Sequence, residues 1–159
     1  MSDPTKLGAA PAHLVDDGRQ TFGRFGTAFG RTNLIDARFH GLPRAMRGWR
    51  LKEWQALQIS GPGVFANLAL FDAKLMSLLQ AKVYDRTHEQ KIIHEWKLRP
   101  RAFRIADQLL DSTNTYRDRR GVMTFRNEMA RGRMSVELDL AASGALPRIA
   151  GRIDVLCDR

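Results

Sequence analysis

The amino-acid sequence predicts an all-β protein, an antiparallel meander that forms a small barrel or a partly open sheet with at most one short helix. Four short apolar segments follow one another without a sustained helical stripe: residues 50–59, 64–71, 75–84 and 91–98. Turn-forming stretches separate them at the spacing of consecutive hairpins: Ser60-Gly61-Pro62-Gly63, Asp72-Ala73 and the polar run 85–90. Such a sheet must close or be covered, so its interior is either a solid core or a ligand cavity.

The segments before the first predicted strand have a different composition. Residues 1–20 are small, polar and proline-containing, which predicts a flexible N-terminal arm, and the β-domain is assigned to 21–159. A glycine and phenylalanine segment follows, and we expect its phenylalanines, Phe22, Phe25 and Phe29, to plug one end of the sheet. Residues 33–47 have few periodic apolar positions and are predicted to connect this segment to the first strand.

Alternation distinguishes two kinds of strand. Residues 64–71 and 75–84 are apolar at both parities, which is typical of strands covered on both faces. Residues 122–129, 134–140 and 149–155 alternate between apolar and polar side chains, as strands with one wet face do. Residues 101–110 fit helical spacing and form either a short helix or a loop crossing the barrel mouth, with a packed connector favoured. Because the sequence stops straight after an alternating strand, an open sheet edge would allow self-association.

The positive charge of the chain is concentrated in two places. The formal net charge is +9, and residues 99–133 contain nine arginines but four acidic residues. A second excess consists of Arg44, Arg47, Arg50 and Lys52. Basic stretches attract nucleic acid or anionic lipid head groups. No nucleic-acid motif accompanies them, so a solvated surface is the favoured interpretation and nucleic acid stays open as a less favoured partner.

The cysteine, histidine and apolar content limit the expected cellular compartment and the kinds of metal or cofactor site. Cys157 is a lone cysteine, which excludes an internal disulfide, and the N-terminus lacks the apolar core of a secretory signal. No apolar run approaches the roughly 20 residues that a transmembrane helix needs, so we expect a cytoplasmic protein without a membrane span. The histidines are His13, His40, His88 and His94, and they are too scattered for a zinc pattern. The sequence therefore predicts no metal, and it predicts no cofactor.

The order of several motifs resembles a known family. FGRFG and FGRTN, a basic linker, WRLKEWQ and a long antiparallel run resemble the N-terminal half of the DUF2804 family, bacterial and fungal proteins of uncharacterised function. That family is similar to the larger lipocalin-like proteins of the carotenoid hydratase and tocopherol cyclase group. The resemblance implies a lipocalin-like (calycin-like) barrel, a chain that is half of a two-part protein, and four motif residues without an assigned role: Asn33, Lys52, Glu53 and Trp54.

Three functions from different classes follow. The favoured one is a module that binds an apolar or amphipathic small molecule, with seven candidate residues: Asn33, Lys52, Glu53, Trp54, Tyr84, His94 and Trp96. The second is an enzyme acting on an isoprenoid or lipid, which would need a buried carboxyl with a raised pKa among Glu53, Asp85 and Glu95. The third is a binder of nucleic acid or anionic surfaces through the arginines. We also expect Trp54 to be a core or cavity-wall residue, and His94 to be a core histidine.

Overall fold

Two four-stranded antiparallel sheets account for most of the structure, a computed structural model that describes residues 7–38 and 41–156. A small hairpin precedes them, formed by β1 (Val15–Asp16) and β2 (Arg19–Gln20), and is followed by one helix, α1 (Arg44–Arg50). The first sheet contains β3 (Glu53–Ser60), β4 (Val64–Asp72), β5 (Ser77–Asp85) and β6 (Gln90–Leu98). The second contains β7 (Asp111–Asp118), β8 (Gly121–Glu128), β9 (Arg133–Leu140) and β10 (Ile149–Leu156). Each sheet is a meander in which sequential strands are neighbours.

The turns of the first sheet follow from local chemistry. Gly61-Pro62-Gly63 joins β3 to β4, where the Gly61 N–H donates to the Val64 carbonyl at 2.8 Å. After β5, the Asp85 carboxylate accepts hydrogen bonds from the backbone N–H groups of Thr87 and His88 at 2.8 and 3.2 Å. Such side-chain to backbone bonds favour a turn over continued extension. The first turn sets the register of β3 and β4, in which Gln55 faces Leu70, and the second sets the register of β5 and β6, in which Leu79 faces Trp96.

The two sheets pack face to face around a filled apolar core. The buried side chains come from both sheets and include Leu68, Leu70, Leu79, Met123, Phe125, Val136, Leu138 and Leu140. The connector between β6 and β7 adds Phe103, whose ring lies 6.4 Å from the Tyr116 ring, and Trp96 lies 6.1 Å from Tyr116 on another side. These side chains occupy the space that a ligand cavity between the sheets would need.

A polar network crosses the same interface. Gln55 Oε1 accepts hydrogen bonds from the side-chain amides of Asn114 and Asn127, both at 3.0 Å. Asn127 also donates to Ser112 Oγ at 2.8 Å, and Asn114 Oδ1 accepts from the Ala106 N–H at 2.7 Å. Because each amide finds partners, Asn114 and Asn127 can be buried without a large desolvation cost.

The predicted fold class is confirmed in its partly open form. The strands assigned to residues 64–71, 91–98, 134–140 and 149–155 agree with β4, β6, β9 and β10 to within two residues at each end. No hydrogen-bonded ladder joins the two sheets within the described ranges, so they do not close into a barrel there. β3 and β6 border one sheet, and β7 and β10 border the other. Self-association through these edges stays a prediction.

Several local expectations were wrong. β4 and β5 are covered on one face, because their second face is half-exposed along Phe65, Ala69, Phe71 and Leu78. The helix lies at Arg44–Arg50, within and just after the predicted connection, whereas residues 101–110 form an irregular connector, the alternative that was favoured for them. Strand β7 was missed altogether. The phenylalanine plug is also absent from the described core, since Phe22 is exposed while Phe25 and Phe29 pack edge to face on each other.

The predicted N-terminal arm is partly structured. The second half of the predicted arm contains the β1–β2 hairpin, in which Val15 is buried. Residues 1–6, His40 and Cys157 lie outside the described residues, so the expectations that concern them stay predictions. Among the helical residues that the structure describes, none forms a helix long and apolar enough to cross a membrane.

Candidate functional site

An amphipathic cleft lies where α1 and the β6–β7 connector meet the end of the first sheet. We call it the rim cleft. It has a volume of about 770 Å³, which is within the roughly 300–1,000 Å³ typical of small-molecule sites. Its lining combines apolar and charged side chains: Ile35, Arg44, Ala45, Gly48, Trp49, Glu53, Asp72, Lys74, Arg101, Phe103, Arg104 and Ile105.

An ion-paired lysine forms the floor of the rim cleft. Lys74 stands in the turn between β4 and β5 with a left-handed backbone, φ 69°. Its backbone N–H donates to Asp72 Oδ1 at 2.9 Å, which stabilises this turn. Its ammonium lies 3.0 Å from Asp72 Oδ2 and also contacts the carboxylate of Glu53 on β3. We call these three residues the Lys74 triad.

The Lys74 triad is largely removed from water. The side chains of Lys74, Asp72 and Glu53 are 13%, 4% and 27% exposed. Burial by itself would lower the pKa of the Lys74 ammonium, but the hydrogen bonds to Glu53 and Asp72 outweigh it and raise that pKa above its ordinary value. Lys74 therefore stays charged at neutral pH, and its two carboxylates offset the charge.

The walls of the rim cleft carry arginines in different states. Arg44 on α1 forms an ion pair with Asp36, and this hydrogen bond, together with one from Asn33, lowers the pKa of the Asp36 carboxyl. Arg101 and Arg104 on the connector are exposed and have no ion-pair partner within the described chain. They flank Phe103, which anchors the connector in the core. The connector therefore presents two uncompensated guanidinium groups beside an apolar wall.

The four motif residues of the resemblance gather around this cleft. Glu53 lies in it, and Asn33 lines an adjoining depression that shares Glu53, Lys74 and Ile105 with it. Lys52 and Trp54 line a third depression, again with Glu53 and Ile105. Asn33 also has a structural role, since its side chain accepts a hydrogen bond from the Val15 N–H and donates to the Val15 carbonyl, both at 3.0 Å.

Trp54 is not the core residue that the sequence predicts. It is 64% exposed and tilts against Phe71 on the outer face of the first sheet, with ring centroids 6.3 Å apart. Glu53 precedes it in the strand and points to the opposite face, as alternation requires. Tyr84 is likewise exposed on the outer face, next to Phe65 and Lys91.

His94 and Trp96 lie in the core, remote from the rim cleft lining. His94 is fully buried and its Nε2 lies 2.8 Å from the Pro147 carbonyl oxygen, to which it donates. Its Nδ1 is buried without a hydrogen-bond partner in the part of the chain that is described. Trp96 packs edge to face on His94 and carries the Arg120 guanidinium 4.8 Å from its ring centre. These contacts agree with a packing role for both.

Each of the three carboxyls considered for an enzyme has a hydrogen-bond or ion-pair partner. Glu53 is ion-paired with Lys74, and Glu95 is exposed and accepts a hydrogen bond from Gln80. The pKa of Asp85 is lowered by hydrogen bonds from the side chain and backbone of His88. Within residues 7–38 and 41–156 no group of three His, Cys, Asp or Glu side chains is placed to hold a metal.

Sequence reasoning missed most of the rim cleft. Asp72 was assigned to a turn and Lys74 to no element, while Arg101 and Arg104 were counted within a longer arginine series. That series divides in the structure, where Arg120, Arg131 and Arg133 pair with carboxylates. The sequence Asp72-Ala73-Lys74 could have indicated this site, because a lysine two residues after an acidic strand end can turn back and pair with that carboxylate.

Comparison with known proteins finds no relative of this chain. No family model, no curated protein sequence and no solved structure matches the chain. The resemblance to the DUF2804 family therefore stays a prediction.

Proposed function

We propose that the protein binds an amphipathic anion, a small molecule with a carboxylate or phosphate head group and an apolar body, in the rim cleft. One observation carries the proposal. Arg101 and Arg104 are without ion-pair partners in the described residues and stand on a wall shared with Phe103 and Ile105. Guanidinium groups recognise carboxylate and phosphate oxygens in a two-pronged geometry.

The charge balance of the cleft supports an anionic ligand over a neutral one. Four cations line it, Arg44, Lys74, Arg101 and Arg104, against the two carboxylates Glu53 and Asp72. The two carboxylates are engaged by Lys74, and Arg44 is engaged by Asp36 outside the cleft. The two connector arginines are then the groups available to a head group.

The apolar lining supports a ligand that also has a hydrophobic part. Ile35, Ala45 and Trp49 also line the cleft, and burying an apolar tail among such side chains contributes about 0.8 kcal/mol per methylene. The space between the sheets is filled by the core. The ligand site proposed here therefore lies outside the sandwich, in contrast to the interior site of a lipocalin-like barrel. Membership of the DUF2804 family and a cytoplasmic location are part of the proposal and rest on the sequence.

Calorimetric titration with laurate and with dodecanol, which share a twelve-carbon skeleton, tests the proposal. We expect saturable binding of laurate at one site and at least tenfold weaker binding of dodecanol. The double variant Arg101→Gln/Arg104→Gln should weaken laurate binding at least tenfold and leave dodecanol binding unchanged. Dodecyl phosphate, run alongside, distinguishes a carboxylate site from a phosphate site.

Arg117→Gln/Arg126→Gln is the matched control. Both of these arginines are exposed on the second sheet and have no ion-pair partner in the described structure, so the variant removes the same charge elsewhere. It should leave laurate binding unchanged. If it weakens binding as much as the cleft variant does, the effect is one of net charge and the proposed site is wrong.

A further inference from the structure

Helix α1 packs on the protein with its basic side and leaves its apolar side in water. Arg47 donates a hydrogen bond to the Ala37 carbonyl, and Arg44 pairs with Asp36. A side chain at Gly48 would come within 3.4 Å of Ile35, so this position also faces the protein. At 100° per residue, these three positions share one side of the helix. The orientation is the reverse of an ordinary surface helix, which turns its apolar stripe inward.

The outward side consists of Ala45, Met46, Trp49 and Arg50, which we call the α1 stripe. Met46 is 53% exposed and Trp49 is 60% exposed. Large apolar side chains that stand together in water mark an interaction surface more often than a chance arrangement. The bonds of Arg44 and Arg47 hold the helix in this orientation, so a rotation that buried the stripe would break them.

Uncompensated cations surround the α1 stripe. The segment from Gly41 to Lys52 contains four basic residues and no acidic one. Arg50 and Lys52 are exposed and have no ion-pair partner in the described chain, and Arg101 and Arg104 stand across the rim cleft from Trp49. Tryptophan and methionine flanked by arginine and lysine suit the boundary between acyl chains and anionic head groups.

We propose that the α1 stripe docks on an anionic lipid bilayer, with Trp49 and Met46 entering the interfacial layer and Arg50 and Lys52 contacting head-group phosphates. Charge complementarity is the argument for this occupant. A second copy of the chain would bring the same cations against each other, which opposes association through this face. Nucleic acid would use the cations but gives no reason for an exposed methionine. Because a seven-residue helix buries little area, bilayer binding depends on the apolar side chains and on the cations together. It is therefore sensitive to salt.

Vesicle co-sedimentation measures the docking. Vesicles of phosphatidylcholine with 30% phosphatidylserine should bind the protein, and pure phosphatidylcholine vesicles should bind it at least tenfold more weakly. Trp49→Ser should lose at least tenfold in affinity for the mixed vesicles. Trp54→Ser is the matched control, because Trp54 is equally exposed but stands on the outer face of the first sheet, and it should bind like the parent chain. Circular dichroism of each variant checks folding.

Two further measurements keep docking distinct from ligand binding and from nucleic-acid binding. Met46→Ser/Arg50→Gln changes residues that do not line the rim cleft. It should lose vesicle binding and retain laurate binding, so the two proposals can fail separately. Equal losses for Trp49→Ser and Trp54→Ser would overturn the docking proposal. So would vesicle binding that needs the cations but is indifferent to Trp49, or a single-stranded oligonucleotide that binds through Trp49 while vesicles do not.

Discussion

Replacing Lys74 by methionine tests the electrostatics on which the rim cleft is built. The substitution keeps most of the length of the side chain and removes its charge, which leaves the Asp72 and Glu53 carboxylates close together and largely buried. Breaking a buried ion pair by removing one partner costs about 3–5 kcal/mol. Because Glu53 is 27% exposed and keeps part of its hydration, we expect the lower end, about 3 kcal/mol at pH 7.5.

Urea denaturation at pH 7.5 and at pH 4.5 measures this effect. The destabilisation should shrink at the lower pH, since an uncompensated buried carboxyl takes up a proton and loses its charge. Adding Asp72→Asn to Lys74→Met should recover part of the stability at pH 7.5, and it also serves if the single variant does not fold. Lys52→Met is the control, because Lys52 is exposed and has no ion-pair partner in the described residues, and it should change stability by less than about 0.5 kcal/mol.

A pH-independent loss, or a loss no larger than that of the Lys52 control, would contradict a buried, charge-balanced Lys74 triad. The first result would mean that the cost comes from packing and turn geometry. The second would mean that the Lys74 triad is solvated in solution and that the rim cleft has no fixed floor. The denaturant dependence of the free energy of unfolding should stay constant across the variants, since none of them changes the area exposed on unfolding.

Three other substitutions test the core and the fall of stability at alkaline pH. Trp54→Ala should cost no more than about 1 kcal/mol of stability because Trp54 is exposed. Trp96→Ala should cost about 3–5 kcal/mol because Trp96 is buried. Chemical denaturation that ranks the two variants in the other order would contradict the orientation of the first sheet. Burial and the neighbouring Asp118 raise the pKa of Tyr116 to about 12 despite the opposing Arg120. The unfolded tyrosine ionises near pH 10, so stability should fall between about pH 10 and 12 by up to about 3 kcal/mol. Tyr116→Phe should flatten that fall, and an unchanged slope would contradict the effect of burial on Tyr116.

The strands that the sequence could predict are those whose inward positions are apolar. Met134–Leu140 places Val136 and Leu138 in the core at alternate positions, so period and burial agree. β7 has the same alternation but was missed, because its inward side chains include Ser112 and Asn114. Their burial depends on Gln55, which is far away in sequence, and no local pattern reveals such a partner.

The candidate site was harder to predict because it depends on the ends of strands and on the orientation of one helix. Alternation places Trp54 on one of two faces but does not say which face is covered. Residues 33–47 have few periodic apolar positions and were predicted to be a connection, whereas α1 begins at Arg44 and ends at Arg50. The contacts that decide the orientation, Arg44 with Asp36 and Arg47 with Ala37, are specific polar bonds and have no periodic signature.

The Lys74 triad explains why recognition in the proposed site falls to the connector. An ammonium held by two largely buried carboxylates would have to give up one of them to bind a ligand anion, and that exchange would leave a buried charge unpaired. Arg101 and Arg104 have no such bond to break within the described part of the chain. A head group at the connector places the apolar body of the ligand toward Ala45 and Trp49 on α1. Trp49 also belongs to the α1 stripe, so the apolar end of the proposed ligand site and the proposed bilayer contact meet at the same side chain.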